Sequence, residues 1–142
     1  MSALQILPFF VLVLLMCVAP AHAQTRMVAH VPFDFIVHGQ TFTAGNYEVR
    51  LSDTADGIAL IDNLKNNAAM FTMTVPSGGS DPAGEQPALV FDRIENRYFL
   101  AEIWQGRTEG ATLPGPFTRR RSSRARATAD DESFVLTANL VK

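Results

Sequence analysis

Residues 88–106 read ALVFDRIENRYFLAEIWQG, and the way this stretch folds back on itself decides the class of the chain. Two runs rich in Val, Ile, Phe, Tyr and Leu flank Glu95-Asn96, a pair suited to the tip of a two-residue hairpin. With that tip, Phe91 faces Leu100 and Asp92 faces Phe99. One face of the hairpin then carries Leu89, Phe91, Tyr98, Leu100 and Trp104, and the other Val90, Ile94, Phe99, Ala101 and Ile103. Both faces are largely apolar, as in a hairpin covered on two sides, so this is the expected centre of the core.

The same alternation recurs outward from the hairpin. Strands are expected near 27–38, 46–52, 57–62, 68–75, 88–94, 97–105 and 133–141, with breaks rich in Gly, Asn, Asp and Pro between them. Ala44-Gly45-Asn46, the run Asp53–Gly57 and the run Asp62–Asn67 supply residues that tolerate positive φ or bond their own backbone. PSGGSDPAGEQP (76–87) lacks apolar periodicity and holds three prolines, which predicts a flexible exposed loop contributing no core residue. RTEGATLPGP (107–116) also reads as loop. FTRRRSSRARATA (117–129) reads as a short basic helix capped by Thr118, ending before Asp130-Asp131-Glu132, whose charge the helix C-terminus disfavours. The expected fold is therefore all-β: a small antiparallel sandwich or barrel of about seven to eight strands with one short C-terminal helix.

The first residues bound where the chain works. Ile6–Val18 is almost wholly apolar and Ala21-His22-Ala23 follows it, which predicts a signal peptide over 1–23 and a single all-β domain over 24–142. The apolar run is about 13 residues, short of the about 20 that span a bilayer, so no transmembrane span is expected once the signal is removed. The lone cysteine, Cys17, lies inside that segment, and Met16 before it does not suit lipidation. An exported chain without further cysteine has no disulfide and no thiolate site, and its stability rests on packing. After removal of 23 of 142 residues, 142 − 23 = 119 remain, enough for one core. Every charged side chain lies after Ala23, and 12 − 14 = −2 gives a nearly balanced mature chain, which argues against nucleic-acid binding.

HVPFDFIVHGQTFTAGNYEVRLSD (30–53) gathers His30, His38, Asp34 and Glu48 among apolar residues. On a strand, His30, Asp34, Ile36 and His38 face one way and Val31, Phe33, Phe35 and Val37 the other. His30 and Asp34 are then ~13 Å apart along the strand, too far to share an ion whose ligands each sit about 2 Å from it. Met70 and Met73, with Met27, raise a soft-metal site, but Met70 and Met73 lie on opposite strand faces, which favours core filling. Asp92 and Glu102 fall on opposite faces of the hairpin and make no carboxylate pair. Neither a nucleophile elbow nor a phosphate-binding glycine loop is present. No catalytic residue, cofactor or metal ligand is assigned on these grounds. Arg119, Arg120, Arg121, Arg124 and Arg126 spread around the helical wheel, a solvated face or a contact to anionic lipid or polymer.

Two stretches, VPFDFIVHGQTFTAGNYEVR (31–50) and RYFLAEIWQG with the following RTEGATLPGPFTRRR (97–121), together resemble an uncharacterised family of short secreted bacterial proteins. Its pattern is V-P-F-D-F, then A-G-x-Y-x-V, then R-Y-F-L-x-x-x-W and a basic segment, and the likeness extends over most of 28–140. The resemblance implies export and the strand placement, and carries no activity, cofactor or site. His30 and His38 stand where other polar residues are usual in that family.

The expected role is a non-catalytic periplasmic or extracellular domain that acts through its surface in the cell envelope, on envelope components or an anionic polymer. One alternative is a small barrel carrying an apolar ligand in a cavity lined by Phe33, Phe35, Phe91 and Trp104. Another is a hydrolase whose groups converge only in three dimensions.

Overall fold

A computed structural model describes residues 25–52, 57–107, 109–114 and 132–141. These residues form strands β1 (Arg26–Val31), β2 (Phe35–Val37), β3 (Gln40–Phe42), β4 (Gly45–Leu51), β5 (Ile58–Asn63), β6 (Ala69–Met73), β7 (Val75–Pro76), β8 (Ala88–Ile94), β9 (Arg97–Gly106), β10 (Glu109–Thr112), β11 (Glu132–Thr137) and β12 (Asn139–Val141). They contain no helix, hence none long and apolar enough to cross a membrane. The helix expected over 117–129 lies outside the described residues.

The strands make two sheets. The first runs β12-β1-β4-β5-β6, and the second β11-β8-β9-β10-β7, with β2 added parallel to β9 and β3 paired to β2. Every pairing except β2 with β9 is antiparallel. The sheets do not close into a barrel; the chain instead bends from one to the other at three places. Residues 32–34 lead from β1 into β2, Thr74 from β6 into β7, and Ala138 from β11 into β12. All three bends divide runs that read as single strands, 27–38, 68–75 and 133–141. Alternation continues through the first bend: Val31, Phe35 and Val37 are buried while His30, Pro32, Asp34 and His38 are exposed. Pro32 has no N–H to give a ladder, which suits it to the place where one ladder ends. These divisions, with the short β3, β7 and β10, give more and shorter strands than the alternation suggests.

Two hairpin tips share one geometry. Ile94 pairs Arg97 across Glu95 (φ 49°) and Asn96 (φ 66°), and Val37 pairs Gln40 across His38 (φ 47°) and Gly39 (φ 80°). Positive φ at both loop residues matches the twist of the flanking strands. The tip at Glu95-Asn96 is where the residue pattern places it. The tip at His38-Gly39 falls at the end of the expected first strand.

The core fills the space between the sheets. Met27, Ala29, Val31, Tyr47, Val49, Ala59 and Ile61 from the first sheet meet Phe35, Val37, Phe42, Leu89, Phe91, Leu100 and Ile103 from the second. Burying one Phe or Ile side chain of this kind contributes about 1.5–3 kcal/mol, the main term available to a chain that relies on packing. The Tyr47 hydroxyl donates to Thr43 O, so its burial leaves no polar group unpaired. Asn63 is also buried, and its Oδ1 accepts from Lys65 N at 2.8 Å and Asn66 N at 3.2 Å, closing the β5–β6 turn.

One expectation about loops is corrected, and a second holds only in part. Residues 109–112 form β10, because Gly110 clears the Trp104 ring: a Cβ there would fall 2.5 Å from Trp104 Cε3. Residues 77–87 do send groups inward. Asp81 and Pro87 are buried, and Ala83 packs on a second cluster made by Ala88, Val90 and Trp104. Asp81 N donates to Arg107 O at 2.9 Å, Asp81 Oδ1 accepts from Ala83 N at 2.8 Å, and Glu85 pairs with Arg107. Backbone bonds to Arg107, Gly110 and Ala138 give this loop contacts that its composition does not reveal.

Candidate functional site

His30, Asp34 and His38 of the 30–53 stretch each hold a place in the strands and turns around them. His30 Nδ1 lies 2.8 Å from Asn46 Oδ1, its cross-strand partner on β4. Asp34 Oδ1 accepts from Ala44 N at 2.9 Å, tying the β1–β2 bend to the turn before β4. His38 occupies the positive-φ tip already described, a position His takes more readily than most residues. Among the described residues no three His, Cys, Asp or Glu side chains gather where they could hold a metal ion. Met27 is in the core, Met70 packs against it and Met73 is exposed on the opposite face of its strand.

The four residues weighed as a ligand cavity separate into two groups. Phe33, Phe35 and Phe91 come together between the sheets: the Phe33 and Phe91 rings meet edge to face at 5.1 Å and Phe35 meets Phe91 at 5.4 Å. Tyr98 stacks on Phe33 at 3.8 Å and Phe134 stands edge-on to Tyr98 at 5.4 Å. Trp104 is elsewhere, with Ala88 and Val90 on the outer face of the second sheet, beneath Ala83.

A single bulge causes this separation. Phe91 pairs Leu100 and Asp92 pairs Phe99, as the hairpin tip dictates, but the next pair is Val90 with Glu102. Ala101 is the extra residue, and its carbonyl accepts from Leu113 N at 2.9 Å. Past the bulge, every residue of β9 changes side. Ile103 joins Leu89, Phe91 and Leu100 in the core, and Trp104 leaves it. The same shift corrects the placement of Asp92 and Glu102, which share the outer face. Neither carboxylate stands bare there: Asp92 Oδ1 accepts from Ser133 Oγ at 3.1 Å and Glu102 Oε2 from Trp104 Nε1 at 2.9 Å.

The second sheet's outer face also meets a local defect in bonding. Asp81 Oδ2 and Gln105 Nε2 are buried without a hydrogen-bond partner among the described residues. Gln105 is the extra residue of a second irregularity, where Glu109 pairs Gly106 and Gly110 pairs Trp104.

The most exposed large apolar side chains among the described residues lie on one strand. On β6, Phe71 is 73% exposed and Met73 70%, and their cross-strand partners Leu60 and Ile58 continue the apolar strip onto β5. No residue pattern examined for chemistry pointed to this strip, although alternation alone marks Phe71 and Met73 as sharing the face opposite Met70 and Thr72. The arginines at 119, 120, 121, 124 and 126 lie outside the described residues. Compared with family models, curated proteins and solved structures, the chain has no match.

Proposed function

We propose that this chain is an exported, non-catalytic β-sandwich domain of the cell envelope that acts through its surface. The observation that carries the reading is the interior aromatic cluster. Phe33, Phe35, Phe91, Tyr98 and Phe134 spend their ring faces and edges on one another at centroid distances of 3.8 to 6.3 Å. Rings that line a ligand cavity keep a face open to the ligand, whereas rings in mutual edge and stacking contact fill a core. The carrier alternative also loses Trp104 as a cavity wall, since the indole sits under residue 83 on the far side of the sheet.

Export rests on the apolar segment before Ala23 and on the resemblance to short secreted proteins. Contact with anionic envelope components rests on the five arginines between 119 and 126.

Two arms test the reading. Fatty acids and retinoids titrated into the protein should leave the methyl resonances of Leu89, Leu100 and Ile103 unmoved; saturable shifts would replace the surface reading with the carrier. The protein should be retained on anionic liposomes in a salt-sensitive manner and released when Arg119, Arg120 and Arg121 become Ala. Retention unchanged by that variant would remove the arginines from the account.

A further inference from the structure

We infer that β6 is a self-association edge, at which two copies of this chain pair antiparallel about Phe71 to continue the first sheet across a two-fold axis. The inference rests on the surface reading above and names a surface and its occupant.

The hydrogen-bonding sense of β6 comes first. Thr74 N donates to Gly57 O, which places Thr74, and by alternation Thr72 and Met70, in the pairs bonded to β5. Ala69, Phe71 and Met73 therefore direct their N–H and C=O groups away from β5, and β6 is the last strand of its sheet among the described residues. Met73 O takes only a long contact from Thr72 Oγ1, at 3.4 Å. In a two-fold pairing centred on Phe71, Phe71 opposes Phe71 of the partner subunit and Ala69 opposes Met73 of the partner subunit. All three outward residues then fall in hydrogen-bonded pairs at once, which a register displaced by one residue does not achieve.

Charge selects a second copy as the occupant. From Asn66 to Ser80 the chain carries no charged side chain, so two such strands meet without repulsion, and neither acidic nor basic peptide finds a counter-charge on the strand itself. The other edges are guarded in the usual ways. β7 is two residues long and includes Pro76, β3 and β12 are three residues each, and β11 opens on Glu132. β6 has five residues, with no proline, charge or bulge. Pairing would also set Phe71 beside Phe71 of the partner subunit on one continuous outer face, where each ring shields the flank of the other.

Sedimentation velocity over a concentration series of the exported protein tests this, with amide hydrogen exchange read at the two ends of the series. The expected result is a monomer–dimer equilibrium in which the amides of Ala69, Phe71 and Met73 gain protection as dimer forms. Phe71→Lys, at an exposed position, should weaken the dimer at least about tenfold, while Val135→Lys on β11 leaves it unchanged. A wild-type chain that stays monomeric at millimolar concentration overturns the inference. So does a dimer indifferent to Phe71→Lys, or one that leaves those three amides exchanging freely. A monomer whose β6 amides are instead protected by an added apolar peptide overturns the second copy as occupant. None of these outcomes bears on apolar ligand uptake by the core, the result that decides the surface reading itself.

Discussion

Phenylalanine and methionine meet opposite fates in two regions of this molecule. Between the sheets, Phe91 and Met27 are 0% exposed and surrounded by other apolar side chains; at the β6 edge, Phe71 and Met73 keep most of their surface in water. Composition does not separate them, for both regions are apolar runs with strand periodicity. Position in the sheet does. Phe91 and Met27 lie on the faces that the two sheets turn toward each other, while Phe71 and Met73 lie on the outer face of the first sheet at its edge, opposite the inward Met70 and Thr72. Phe33, Phe35 and Phe91 thus pack on one another between the sheets, whereas Phe71 and Met73 are left outside the core.

The comparison breaks most directly at its interior end. Phe91→Ala should cost about 3–5 kcal/mol in chemical denaturation, since the ring is fully buried against Phe33 and Phe35. A loss below about 1 kcal/mol would mean that the interior is loose enough to hold a ligand. Next comes the second cluster. Gly110→Ala places a methyl group against the Trp104 ring and should cost about 1–3 kcal/mol, with a change in tryptophan fluorescence as the indole is displaced.

A smaller effect is expected where the loop after β7 is seated. Asp81→Ala removes the acceptor for Ala83 N and should cost about 1 kcal/mol and quicken proteolysis within 77–87. Asp81→Asn keeps that acceptor and should retain most of the stability; equal losses in both would assign the role to the carboxylate charge. The smallest effect belongs to the edge. Phe71→Ala, measured on the dilute monomer, should fall within about 0.5 kcal/mol of wild type, because the ring packs against little. A loss as large as that of Phe91→Ala would erase the distinction between the regions.

Much of this architecture is legible in local residue patterns, and what is not depends on partners distant in sequence. The tip at Glu95-Asn96 follows from the two flanking runs, and with it the pairs from Ile94 to Phe91. The pairing beyond depends on Ala101 standing out of register, with its carbonyl taken by Leu113 N, and nothing in RYFLAEIWQG distinguishes that alanine. One unnoticed residue was enough to exchange Ile103 and Trp104 between faces, and with them a candidate cavity wall. It also makes the single indole a reporter of the outer cluster, so its fluorescence does not sense the space between the sheets. The bends at 32–34 and Ala138 escape alternation for another reason. Each keeps the inward and outward order while transferring the chain to the other sheet, so the pattern is the same on either side. β10 is hidden by Gly110, which has no side chain to show a period and is required by a ring six residues earlier.

If the interior is filled by the chain itself and the protein acts through its surface, the folded chain carries no small apolar passenger. Native mass spectrometry of the protein recovered from an exporting cell, set against its denatured intact mass, tests that most directly. The predicted result is a polypeptide beginning at Gln24, present as one and two copies, with no additional mass lost on denaturation. A small apolar molecule that travels with the folded chain and leaves when it unfolds would contradict the claim.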